Sequence, residues 1–157
     1  MTAREVALRT LTACESQDAW ADAFLKRTLH QGSVTGRDAA LATRITFGVL
    51  QNQLLLDWYL ARFSKRPLDK LERPVKNALR IGAYQLLFLD KVPARAAVDE
   101  SVKLTRAFCR NPAAAGMVNA ILRSLQRGLD SLTPPESLSL RTSHPQWLVD
   151  AFTARLG

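Results

Sequence analysis

Four residues in one stretch, 73-RPVKNALRIGAYQLLFLDKV-92, have types and spacing that could do chemistry: Arg73, Lys76, Arg80 and Tyr84. They fall at i, i+3, i+7 and i+11, an arc of roughly 80° on a helix that turns 100° per residue. Cationic heads beside an aromatic tip suit a phosphate backbone with an unpaired base next to it. Arg123 and Arg127 form a candidate second row. A plainer reading fits the same residues. The arginines could be a solvated helix face, and Tyr84 a core aromatic with its hydroxyl at the surface.

Other chemistry finds little support. There is no GxGxxG or Walker A pattern, and the seven glycines never cluster into a phosphate-cradling loop. Without a strand, Gly-rich loop and helix in succession, a nucleotide or S-adenosylmethionine fold cannot be placed in this chain. His30 and His144 lie in unrelated segments, and no nucleophile or orienting carboxylate is nominated for either. His144 precedes Pro145 and reads as a turn residue. No three ligands converge for a metal. Cys14 and Cys109 are far apart without CxxC spacing, and read as small buried hydrophobes of a reducing compartment. Adjacent Asp99 and Glu100 point about 100° apart on a helix, which suits two separate salt bridges better than an acid/base pair.

Charge is unevenly spread along the 157 residues. Residues 1–61 are neutral overall. Residues 62–127 hold fourteen basic and five acidic side chains, net +9, and residues 128–157 are net −1. The basic excess therefore sits with the candidate edge. Such asymmetry suits a polyanionic partner, nucleic acid above all, or a basic surface kept for solubility. No apolar run is long enough to span a bilayer. The N-terminus has no signal-peptide core and carries Glu5, so a cytoplasmic protein without a membrane partner is expected.

The elements that must position these residues all read as helices. Thr2-Ala-Arg-Glu5 has the form of a capping box, opening a helix over 3–15 with Ala7, Leu8, Leu11 and Cys14 inward. A second helix is expected over 20–29. From Asp38 to Phe63 the helical pattern persists, with Phe47, Leu50, Leu54 and Trp58 on one apolar face and a break expected near Gly48 to Asn52. Gly48 costs helix stability, and its expected value is the close approach of a neighbouring helix. Pro74 suits a first helical turn. The stretch 74–92 is apolar on most sides, so it is expected to be the central helix of a bundle. Pro93 starts a helix to about Phe108, and Asn111-Pro112 caps another to Arg127 that turns Val118, Ile121, Leu122 and Leu125 inward. Residues 128–139 read as a linker containing Thr-Pro-Pro. Residues 140–157 open a short amphipathic helix with no partner, as expected of a segment of a longer protein. No strand alternation occurs, so the fold class is all-α, with about six bundle helices plus the C-terminal one.

Four segments, in order, resemble the NusB-like fold: 3-AREVALRTL-11, 79-LRIGAYQLL-87, 92-VPARAAVDESV-102 and 118-VNAILR-123. The resemblance covers about residues 3–127. It implies an all-α RNA-binding domain of two packed helical halves over 1–127, followed by a linker and the start of another domain over 128–157. Two NusB-like groups are candidates: free-standing transcription antitermination factors, and the N-terminal domain of bacterial 16S rRNA cytosine-5 methyltransferases of the RsmB (Sun/Fmu) type. Three features favour the second. Only Arg4 precedes Glu5, where antiterminators begin with an arginine-rich run. Gln85 follows Tyr84, where they often carry Glu. The segments 48-GVLQNQLLLDWY-59 and 138-LSLRTSHPQWLV-149 are similar to the methyltransferase pattern.

That resemblance implies ribosomal RNA (16S) as partner, together with the enzyme's own catalytic domain. It also implies S-adenosylmethionine in the parent enzyme, with no cofactor, metal or catalytic residue in this chain. The expected RNA contacts are Arg4, Arg73, Lys76, Arg80, Tyr84, Arg123 and Arg127. The alternative is an antiterminator acting on leader RNA with a ribosomal protein.

Overall fold

Helix α5 (Arg73–Phe88) is buried on nearly every side, because its sequence is apolar on nearly every side. Every residue from Asn77 to Gln85 is buried, as is Val75. Around it the computed structural model, which describes residues 1–17 and 20–129, places six further α-helices. These are α1 (Ala3–Gln17), α2 (Ala21–Gln31), α3 (Gly36–Gln51), α4 (Gln53–Ala61), α6 (Ala94–Phe108) and α7 (Ala113–Gly128). A single 3-10 turn, Leu68–Lys70, precedes α5. The described residues contain no strand, and no helix among them is long and apolar enough to cross a membrane. The linker and terminal helix expected beyond residue 129, with His144, lie outside the described residues.

Helix α5 touches α1, α3, α4, α6 and α7. Two apolar cores result. The larger holds side chains such as Leu8, Ile45, Leu60, Leu79, Ile81 and Leu122, and runs from α1 to α7. The smaller joins Ala3, Val6, Leu25, Val34 and Ala42 of the N-terminal helices. This is the expected all-α bundle in two packed halves, with α1 shared between them.

Local sequence explains most of the boundaries. Thr2 Oγ1 accepts the Glu5 N–H at 3.1 Å, so the expected cap opens α1. The expected break falls at Asn52, whose side-chain amide and backbone N–H both donate to the Gly48 carbonyl, at 2.8 and 3.1 Å. Asn111 Oδ1 accepts the Ala113 N–H at 3.0 Å and starts α7.

Three expectations need correction. Helix α5 ends at Phe88 and not at Val92: Leu89 leaves the helical region to bury its side chain, and Pro93 disfavours a helical Val92. Cys14 and Cys109 form no disulfide and are half-buried, not fully buried. Leu54, read as part of an apolar face, is 52% exposed, because the break at Asn52 interrupts the continuous helix that would set it beside Phe47 and Leu50.

Two glycines let helices close on α5. A Cβ on Gly82 would lie 2.8 Å from Ser101 Oγ of α6 and would also meet Leu122 of α7. A Cβ on Gly48 of α3 would collide with the Tyr84 ring. That ring is buried and stacks on Phe88 with centroids 5.2 Å apart. Gly48→Ala is expected to destabilise the fold by about 1–3 kcal/mol through overpacking. In denaturant unfolding, Tyr84→Leu should cost less in the Gly48→Ala background than alone, because the two side chains share one space.

Candidate nucleic-acid interface

Helix α5 carries Arg73, Lys76, Arg80 and Tyr84 on one face along its first three turns and into the fourth, as their spacing dictates, but most of that face looks into the bundle. Arg80 has 5% of its side chain exposed. Its Nε and Nη2 donate to Asp57 Oδ1 and Oδ2 of α4, both at 2.8 Å, in a two-pronged fork. Its Nη1 donates to Glu15 Oε1 of α1 and to Asn77 Oδ1, both at 3.2 Å. Lys76 Nζ lies 2.9 Å from the same Glu15 oxygen. Asn77 Nδ2 reaches Thr12 Oγ1 and Glu15 Oε2, both at 3.3 Å. The cluster ties α1, α4 and α5 together at one point.

The electrostatics follow from that geometry. Burial disfavours the Arg80 cation, but the hydrogen bonds and charge of Asp57, then Glu15, outweigh it and hold Arg80 protonated more firmly than usual. Burial also opposes the Glu15 carboxylate. The Lys76 hydrogen bond and the charges of Arg80 and Lys76 outweigh it and pull Glu15 below its ordinary value of 4.5. Elsewhere, burial and then the Glu72 charge push the Cys109 thiol up to about 11, so it stays protonated at neutral pH.

The remaining expected contacts divide the same way. Arg4 Nε donates to Gln85 Oε1 at 2.8 Å, beside the face of α5. Arg123 Nε donates to Asn119 Oδ1 at 3.0 Å, and its Nη2 lies 3.5 Å from Asp99. Arg127 is exposed and reaches only Ser124 Oγ, at 3.3 Å, among the described residues. Arg73 is exposed with no hydrogen bond or ion pair among them. The structure therefore joins Lys76 and Arg80 through Glu15, buries Tyr84 separately against Phe88, and leaves Arg73 on α5 and Arg123 and Arg127 on α7 accessible. Asp99 pairs with Arg95 and Arg123, and Glu100 with Lys103, which keeps the two adjacent acids on separate partners.

The basic loop before α5 and the cationic spacing at the end of α6 are legible in the sequence, but their residues are not among the expected contacts. Lys65, Arg66, Lys70, Arg106 and Arg110 are exposed, and their side chains form no ion pair among the described residues. The signal for Lys65, Arg66 and Lys70 was the basic loop before α5, and that for Arg106 and Arg110 was their i, i+4 spacing at the end of α6, but exposure could only be read once the helices were placed. No group of three or more His, Cys, Asp or Glu side chains among the described residues could hold a metal.

An all-helical bundle with two cores and a basic C-terminal half defines a known class. The NusB family model matches residues 1–127, and the chain belongs to that family. Among curated relatives it is 33% identical over 159 residues to the probable ribosomal RNA small subunit methyltransferase B of Bacillus subtilis (strain 168), covering 98% of this chain and 35% of that protein. It is 30% identical over 162 residues to the Synechocystis protein of the same description, covering 100% of this chain and 36% of that one. The ribosomal RNA small subunit methyltransferase B of Escherichia coli O1:K1 is 36% identical over 120 residues, or 76% of this chain and 28% of that protein. The chain thus spans about a third of these relatives. A solved complex of antitermination factors NusB and NusE with dsRNA has the same fold, at a TM-score of 0.72 and 20% identity over 80% of this chain and 94% of that one.

Two outcomes test the buried cluster. Arg80→Leu leaves Asp57 without its cation and Glu15 with Lys76 alone, and should cost about 3–5 kcal/mol in denaturant unfolding. Because Glu15 is lowered in the folded chain, the unfolded chain binds more protons in the range just below pH 4.5, so stability rises with pH there and is lost as pH falls. Glu15→Gln should flatten that part of the stability–pH curve.

Proposed function

We propose that this chain is the RNA-binding domain of a cytoplasmic, S-adenosylmethionine-dependent 16S rRNA cytosine-5 methyltransferase. The observation that carries the reading is the similarity of nearly the whole chain to curated rRNA methyltransferases more than twice its length. Cofactor and catalysis are assigned to the part of such an enzyme that this chain does not span. The described residues do not suit S-adenosylmethionine, since they contain no strand–loop–helix unit to hold it. The domain would then act by raising the local concentration of rRNA at a tethered active site. It could also dock on its own catalytic domain. The antiterminator reading has a shared fold in its favour, and the sequence relatives favour the enzyme.

Accessible cations carry the RNA contact in this proposal: Arg73, Arg123 and Arg127. Arg80 and Tyr84 serve by shaping the helix that bears Arg73. Arg4 and Lys76 are held beside that face by Gln85 and Glu15. Contacts to three or more phosphates should make affinity for a labelled 16S rRNA fragment fall at least tenfold between 50 and 200 mM salt. The triple variant Arg73→Glu, Arg123→Glu, Arg127→Glu should bind at least tenfold more weakly with an unchanged helical spectrum. A flat salt response would overturn the reading.

A further inference from the structure

A cleft of about 340 Å³ lies between the loop ahead of α5 and the first turn of α7. Its floor is apolar: Leu71, Val75, Ala114 and Met117. Its rim carries Arg66 and Lys70, both exposed and unpaired among the described residues. Asn111 also lines it; its Oδ1 is occupied by the Ala113 N–H, and its side-chain amide has no partner among those residues. One carboxylate, Glu72, faces the cleft, and its Oε2 accepts the Arg110 N–H at 3.3 Å. That bond brings the backbone of Arg110, another exposed cation, to the same margin.

We infer that this cleft seats one nucleotide of single-stranded RNA, with its phosphate on Arg66 and Lys70 and its base against Leu71, Val75 and Met117. The inference rests on the RNA-binding reading above and locates a contact that reading does not include. Three observations converge on it. The volume falls in the range of roughly 300–1,000 Å³ typical of small-ligand sites. A floor of apolar side chains gives an unstacked base apolar surface to cover, while a duplex keeps its bases stacked inside. The cations at the rim are not neutralised by the protein, in contrast to Arg80 and Lys76, whose charges are spent internally. Phosphate oxygens accept from guanidinium and ammonium groups without any need for base identity, so the cleft adds grip more than sequence preference.

The test is equilibrium binding of a fluorescent single-stranded RNA 12-mer to the 157-residue chain by anisotropy, at several salt concentrations. The double variant Arg66→Ser, Lys70→Ser is expected to weaken binding at least tenfold and to make the log–log salt slope shallower by about 0.7, the value for one phosphate no longer neutralised on a single strand. Ala113→Trp fills the cleft from an exposed position without changing charge, and is expected to weaken binding by a similar factor. The control is Arg37→Ser, Arg44→Ser, which removes two exposed cations from α3 and should change affinity less than threefold. Circular dichroism confirms that each variant is folded. If the wild-type chain binds no RNA, the RNA reading of the domain falls. If it binds, but either the double variant or Ala113→Trp matches the control, the cleft is overturned while the RNA reading stands.

Discussion

The guanidinium of Arg80 is the constraint on which the arrangement of helices depends. A cation placed among buried side chains loses hydration worth several kcal/mol, and only fixed partners on more than one side can restore it. Asp57 provides a two-pronged partner from α4, and Glu15 a second partner from α1. Both carboxylates must stand at hydrogen-bond distance in the same structure. The cluster therefore allows one relative placement of α1, α4 and α5, where apolar contacts alone would tolerate several. Its net stabilisation relative to a well-packed apolar alternative is small, so its weight lies in register.

Around that point the apolar packing does the bulk of the work. Buried hydrophobic side chains on α5 meet five neighbouring helices, and the two glycines at the crossings bring backbones close enough for Tyr84 and Leu122 to fill the gaps. The same tightness separates the two kinds of basic residue in this chain. Cations on the interior arc of α5 are matched by acids of other helices. Those on the loop before α5, and on the outer faces of α6 and α7, meet water. Net charge along the sequence does not distinguish them, although only the second kind is available to a polyanion.

What could be read in advance was what short-range physics decides. The Thr2 cap, the break at Asn52, the prolines ahead of α5 and α6 and the inward stripe of α7 each depend on neighbours a few residues away. The central position of α5 was legible too, because a helix apolar all round has nowhere else to go. The role of Arg80 was not. Its spacing from Arg73 and Lys76 is the same whether the arc is wet or buried, and its partners are 23 and 65 residues distant. Tyr84 shows the same limit from the other side: its partner Gly48 was recognised as a site of close approach, but what approached it could not be named.

That long separation has a consequence in time. A ribosome adds about 5–20 residues per second, so Glu15 emerges roughly 3 to 13 s before Arg80 is synthesised. Through that interval the nascent N-terminal helices hold acidic groups whose cation does not yet exist. Helices α1 to α3 can gather around their own smaller core, but the carboxylates stay hydrated and keep the larger interface open. Closure waits for α5, which delivers the neutralising charge and the apolar surface in the same two turns.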